Sequence, residues 1–175
     1  AEPSYIEARV NFAVSLKSIG DYMSSLQQYI EIEKIKKTDV SMFHLSITRL
    51  SLGMYKKGFQ EYEIRWKVFP LNKSVWPIKD RELWEGQRDK NVLLWKEQGI
   101  GDDILFLGLV SEASEINNST TVYTDPRLIP LCERGMPGVI FKPYRGKIED
   151  EEFDYHLPMG SLPRLFRNTE KDFER

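Results

Sequence analysis

The stretch that most constrains the fold is Val92-Leu93-Leu94-Trp95-Lys96-Glu97-Gln98-Gly99-Ile100-Gly101-Asp102-Asp103, which leads into Ile104-Leu105-Phe106-Leu107. The contiguous apolar run at its start suits a strand buried inside a parallel sheet. The glycines allow a turn, and apolar residues then resume. A strand, a glycine-bearing turn and a helix in that order open a βα unit, and in such folds ligands bind at the carboxyl ends of the strands.

The alternation continues downstream. Strands are predicted at 91–95, 120–124, 139–143 and 153–157. Helices are predicted at 104–115 and 127–134, with a short one starting near Ser161 and reaching Phe166. Asp125-Pro126 suits the N-cap and first position of the second helix. Alternating strands and helices imply a parallel sheet with right-handed crossovers, Rossmann-like but with about four strands, roughly half of a doubly wound domain.

The first part of the chain has a different period. From Ile6 to Phe69 apolar residues recur at helical spacing, as in Phe12, Leu16 and Ile19 or Tyr55, Phe59, Tyr62 and Trp66. Gly20 and Gly53 punctuate these stripes where a turn between helices tolerates positive φ. The two stretches also match at an offset of 33: Gly20 with Gly53, Tyr22 with Tyr55, Ser25 with Gly58 and Tyr29 with Tyr62. A helix–turn–helix unit of this length resembles the tetratricopeptide repeat (TPR). The small residues at Ser25 and Gly58 would let helices approach closely. The expected architecture is thus α plus α/β. Residues 1–69 form two helical hairpins, 70–90 an ordered connector rich in Pro, Gly and Trp, and 91–175 the partial Rossmann-like unit. Trp66, Phe69, Trp76 and Trp84 are expected to be core aromatics.

Composition narrows the function classes. The net charge is −2, from 25 basic and 27 acidic side chains, so no general nucleic-acid surface is expected. No apolar stretch reaches the ~20 residues of a membrane span. Cys132 stands alone, which excludes an internal disulfide and fits a reducing compartment, so the expected location is cytoplasmic. It reads as a small apolar helix residue. No metal-ligand spacing, nucleophile elbow or P-loop occurs, and no metal or cofactor is expected.

The candidate chemistry centres on Glu97, Gln98, Gly99, Gly101, Asp102 and Asp103. Gly99-x-Gly101 invites comparison with the dinucleotide fingerprint, but Ile104 occupies the place of its third glycine, and two carboxylates would repel a pyrophosphate. Asp125, at the end of strand two, is then a helix cap. Two readings stand for the turn. Asp102 and Asp103 either complement the helix dipole, or the turn forms a polar rim for a hydroxyl-rich ligand, because carboxylates and amides match hydroxyls that both donate and accept. His156, near the end of strand four, is the histidine better placed for a general base; His44 is a packing residue. The acidic run Glu149–Glu152 reads as a solvated loop.

Taken in order, these blocks resemble bacterial proteins in which tetratricopeptide repeats precede a glycosyltransferase-like domain. The resemblance rests on Gly58-Phe59-x-x-Tyr62-Glu63-x-Arg65-Trp66, Trp84-Glu85-Gly86 and Lys90, then Leu93-Leu94-Trp95-Lys96-Glu97-Gln98-Gly99-Ile100-Gly101-Asp102-Asp103-Ile104-Leu105-Phe106. Pro137-Gly138-Val139, Phe153-Asp154-Tyr155-His156-x-Pro158 and Ser161-Leu162-Pro163 extend it, so that it covers about residues 40–167. Lys96 stands where that group commonly has a small residue. The resemblance implies the N-terminal, acceptor-side part of a GT-B, heptosyltransferase-like enzyme. It also implies that the nucleotide-sugar half lies outside these residues and that the chain is inactive alone. A carbohydrate acceptor and a protein or peptide ligand of the TPR helices are the implied partners. The alternative is a non-catalytic protein–protein interaction module. The open sheet edge and an apolar helix face leave room for self-association.

Overall fold

Residues 5–68, 76–78, 80–148 and 152–174 are described by the structure, a computed structural model. Phe69, the first part of the connector and most of the acidic run Glu149–Glu152 lie outside the described residues. The chain divides into two compact units, one holding described residues 5–68 and 167–174, the other those between 76 and 166.

The helical unit is built by local rules. Helices α1 (Ile6–Ser18) and α2 (Tyr22–Ile35) are joined through Gly20, and α3 (Asp39–Ser51) and α4 (Tyr55–Tyr62) through Gly53. Both glycines take left-handed φ, +84° and +73°, a backbone that other residues adopt only with strain. Asp21 caps α2 by accepting from the Ser24 amide at 3.0 Å. Thr38 and Ser41 form a reciprocal capping box at the start of α3. The expected close approaches occur at both equivalent positions. The Ser25 hydroxyl donates to the Ala13 carbonyl at 2.8 Å. A Cβ at Gly58 would lie 2.6 Å from Leu50 Cδ2. The core joins Ala13, Leu26, Tyr29, Ile32 and Leu45. A short helix, α5 (Arg65–Val68), follows. Residues from Arg167 on belong to this unit, where the Phe173 ring lies 4.7 Å from Tyr55.

The second unit runs β1 (Asn91–Trp95), α6 (Ile100–Leu107), α7 (Val110–Ser114), β2 (Ser119–Thr124), α8 (Ile129–Gly135), β3 (Ile140–Pro143), β4 (Tyr155–Pro158) and α9 (Pro163–Phe166). The four strands pair in parallel in the order β3-β2-β1-β4. Leu94 sits opposite Val122 on one side and Leu157 on the other. These residues, with Val92 and Phe141, meet Phe106, Val110, Ala113 and Cys132 of the helices in one large core. Trp84 belongs to this core, Trp76 of the same unit is buried, and Trp66 is buried in the helical unit. The outer edge of β4 is partly covered: Leu83 bridges to His156, with the Trp84 amide donating to the His156 carbonyl at 2.9 Å.

The fold class is as expected, and several boundaries are corrected. The helix expected at 104–115 starts earlier and is split at Gly108-Leu109, where the Leu109 amide turns to the Phe106 carbonyl in a tighter i−3 bond. The apolar period runs through that break and hides it. Asp125 does not cap a helix and Pro126 does not open one. Residues 125–128 form a turn closed by the Leu128 amide on the Asp125 carbonyl, and Pro130 occupies the first turn of α8. The Asp125 carboxylate instead accepts from the Arg127 amide at 3.0 Å, the local bond of an Asx turn.

Candidate functional site at the β1–β4 crevice

In a sheet of order β3-β2-β1-β4 the chain moves outward from β1 in one direction and then returns to its other side. The point between β1 and β4 is therefore the topological switch point, the place where open α/β sheets generally hold their ligands at the carboxyl ends of the strands. The loop after β1 is Lys96–Gly99. The segment after β4 is a 3₁₀ turn, Met159–Ser161.

These two segments meet. A Cβ built on Gly160 would strike Glu97 Oε1, and it would lie 3.0 Å from Glu97 Cδ and 3.2 Å from Phe106 Cε2. Any larger residue at 160 would push the Glu97 carboxylate aside and crowd the Phe106 ring, so the present seat of Glu97 depends on the glycine beneath it. Glu97 and Gln98 are half-buried, while Gly99 and Gly101 are exposed along the start of α6. The first-turn amides of a helix have no intrahelical acceptor, and Ile100 and Gly101 occupy that first turn of α6.

Both aspartates are engaged in holding the turn, Asp102 beside Gly99 and Asp103 from within. The Asp102 carboxylate accepts from the Gly99 amide at 3.1 Å and caps α6. Asp103 is 2% exposed. Its Oδ2 accepts from the Thr124 hydroxyl at 3.0 Å and the Asp125 amide at 3.1 Å, and it lies 3.2 Å from Lys96 Nζ. Burial raises the Asp103 pKa, against the opposing pull of the Asp125 amide and the Lys96 charge. Lys96 also stands 3.8 Å from Asp125 Oδ2. Asp125 is held well below the ordinary carboxylate range, chiefly by hydrogen bonds from the Arg127 side chain. Lys96, Asp103, Thr124 and Asp125 thus form a linked knot, whose two carboxylates are matched by Lys96 and by Arg127 on Asp125. It ties the end of β1, the first turn of α6 and the end of β2.

His156 lies elsewhere. It pairs with Leu93, two residues before the end of β1, and is 1% exposed. Its Nδ1 accepts from Trp95 Nε1–H at 3.1 Å, and the edges of Trp76 and Phe153 close around the ring. Burial depresses its pKa, with a backbone hydrogen bond at Arg81 opposing. A neutral imidazole with Nδ1 engaged in an aromatic enclosure is packed as core.

The structure therefore brings Glu97, Gln98, Gly99 and Gly101 together at the switch point, commits Asp102 and Asp103 to holding the turn, and sets His156 apart. Two contributors escaped the sequence reading. Gly160 carried a signal, a glycine two residues past the end of a strand; Lys96 carried none as the partner of a residue seven positions on. Among the described residues no group of three or more His, Cys, Asp and Glu is placed to hold a metal ion. Cys132 is buried in α8, and burial pushes its thiol up, with Asp103 and Glu133 adding to the rise. No described helix is long and apolar enough to cross a membrane.

No protein-family model matches the chain. A curated relative, Protein FlbA of Caulobacter vibrioides, is 27% identical over 147 residues, covering 72% of this chain. The matched part is 24% of FlbA, so the chain spans about a quarter of that relative's length.

Proposed function

We propose that the β1–β4 crevice binds a hydroxyl-rich ligand and forms the acceptor side of a glycosyltransferase-like protein that carries TPR-like helical hairpins. The observation that carries this reading is the seating of Glu97 over Gly160 at the switch point. A half-buried carboxylate accepts strongly from hydroxyls, and the adjacent Gln98 amide both donates and accepts, which is the donor–acceptor mixture a sugar presents. The rim offers no unpaired cation for a phosphate, since Lys96 is neutralised by Asp103 and Asp125. That favours a neutral acceptor over a nucleotide. On this reading these residues hold the acceptor without turning it over, and transfer needs a second α/β half that binds the activated donor.

The test is a two-dimensional NMR titration of the chain with neutral mono- and disaccharides. The amides of Gly99, Gly101 and Gly160 shift saturably, and Glu97→Gln weakens binding about tenfold, the loss expected when one charge-assisted hydrogen bond goes. Unmoved glycine amides, or equal shifts with a nucleoside diphosphate alone, would sink the proposal.

A further inference from the structure

The helix layer of the α/β unit holds a cleft away from the switch point. Helices α6 and α7 cross from β1 to β2 and α8 crosses from β2 to β3, so both crossovers lie on one face of the sheet. Two stripes with the same helical spacing, i, i+3, i+4, i+7, line the gap between them. One is Ile104, Leu107, Gly108 and Ser111, and the other is Leu128, Leu131, Cys132 and Gly135. Each runs from two large apolar residues to two small ones. Free helices would close on such small residues, since side-chain size at the contact sets their separation. Here each crossover is seated on the strands it connects, through the core that joins Phe106, Val110 and Cys132 to Leu94, Val122 and Phe141. The sheet holds the helices apart, and a cleft of about 360 Å³ results. Its floor is Leu107, Leu128 and Cys132, exposed by 7%, 8% and 6%, and its lips are Ile104 and Leu131, exposed by 59% and 61%.

We propose that this cleft is a binding site for an uncharged aliphatic chain. Among the described residues no charged side chain lines it, and its polar side-chain groups are the Ser111 hydroxyl and the Cys132 thiol. No described residue hydrogen-bonds that thiol, which is left to meet one polar group of a ligand. With no cation on the walls, a carboxylate or phosphate head would be desolvated without a partner. Apolar cavities of about 150 Å³ already take a benzene-sized ligand, so this one has room for a longer molecule. Each stripe spans about 10 Å, seven residues at about 1.5 Å each. A helix about 10–12 Å wide cannot enter, whereas an extended chain of about eight carbons, with bonds of about 1.5 Å, lies along it. A second copy is the poorer occupant. The large exposed hydrophobics of α6, α7 and α8 are Ile104, Leu105 and Leu131, too few for the ~800 Å² a side of a stable interface.

The test titrates the chain with octanol, followed by two-dimensional NMR. The amides of Gly108, Ser111 and Gly135 shift saturably, with a dissociation constant below about 1 mM. Octanoate at neutral pH binds about tenfold more weakly, because its charge finds no partner. A Cβ at Gly135 meets nothing within 4 Å, and one at Gly108 makes only ordinary contact with the Leu105 carbonyl at 3.8 Å. Gly135→Leu and Gly108→Leu therefore fill the cleft from opposite walls, keep the thermal midpoint and abolish the octanol shifts. Shifts that do not saturate, that fall on Gly99, Gly101 and Gly160 instead, or that survive both substitutions would overturn the proposal. So would octanoate binding as tight as octanol, or a dimer in sedimentation that Gly135→Leu dissolves, which would give the cleft to a second copy.

Discussion

The helical and α/β units bury charge in different ways. In the helical unit Arg49 of α3 pairs with Glu61 of α4, and Glu61 keeps one side to solvent. In the α/β unit Asp103 is enclosed and satisfied from three elements at once. The cores differ in the same sense. The helical core is small and built between neighbours in sequence, whereas the sheet core joins segments far apart, as where Leu94 lies between Val122 and Leu157. Local construction gives a unit that can be extended or trimmed by a hairpin. Non-local construction gives one whose loops are held in place by the whole.

The sharpest way to break this comparison is to empty each core. Leu94→Ala removes a fully buried side chain between two strands and a helix layer that cannot close in, and about 4 kcal/mol is expected. Leu45→Ala leaves a hole at a helix seam that can collapse, and about 2 kcal/mol is expected. Denaturant midpoints decide it. Equal losses would mean that the helical unit is as rigidly packed as the sheet.

Next comes the buried charge. Asp103→Ala strands Lys96 in a largely enclosed position and leaves the Thr124 hydroxyl and Asp125 amide without their acceptor, a cost of about 3–5 kcal/mol. Glu61→Ala costs about 1–2 kcal/mol, because water can reach the space it leaves beside Arg49. A loss for Glu61→Ala as large as for Asp103→Ala would refute the distinction between an enclosed knot and a hydrated pair.

These contrasts explain what was legible in the sequence. The hairpins were readable because their instructions are local: Gly20 and Gly53 set the turns and the period of 33 repeats the packing, while the equally local Thr38 cap went unread. The sheet was readable as a string of strands, since β1 is apolar from Val92 to Trp95. What was hidden depends on pairs distant in sequence. Nothing near Gly160 announces that Glu97 will lie over it, and nothing near Asp103 announces Thr124 and Asp125. The same blindness misread Asp125 as a cap, since the residue type suits a helix start and an Asx turn equally well. The site was therefore legible as a loop, and only the fold separates its rim from its supports.

The pH dependence distinguishes the units further. His156 has a folded-state pKa below the ordinary 6.5, so the folded form binds fewer protons than the unfolded chain. Stability is full above about pH 6.5 and declines as pH falls through that value. His44, depressed by burial and by the Lys17 charge, adds a slope of the same sign. Asp103 has the opposite sign: its raised pKa makes stability fall as pH rises out of the ordinary carboxylate range. Urea titrations at several pH values check this. His156→Gln flattens the acid limb more than His44→Gln does, because His156 is the more enclosed, and Asp103→Asn removes the opposing slope. An acid limb unchanged by His156→Gln would show that the imidazole is already hydrated in the folded state.

The smallest effects sharpen the division between support and rim. Thr38 and Ser41 satisfy each other's backbone at the start of α3, so Thr38→Ala costs about 1 kcal/mol. At α6 only half of such a box exists, because Gly99 has no side chain and Asp102 alone reaches back to its amide. Asp102→Ala therefore costs about 0.5 kcal/mol, measured as a shift in denaturant midpoint. It also frees the Gly99 amide, which becomes one more donor at the crevice mouth. If the crevice binds hydroxyls, Asp102→Ala leaves saccharide affinity equal or slightly higher, whereas Glu97→Gln lowers it. The two substitutions therefore move binding in opposite directions. A loss of affinity in Asp102→Ala larger than in Glu97→Gln would place the ligand on the helix cap and not on the Glu97–Gly160 contact.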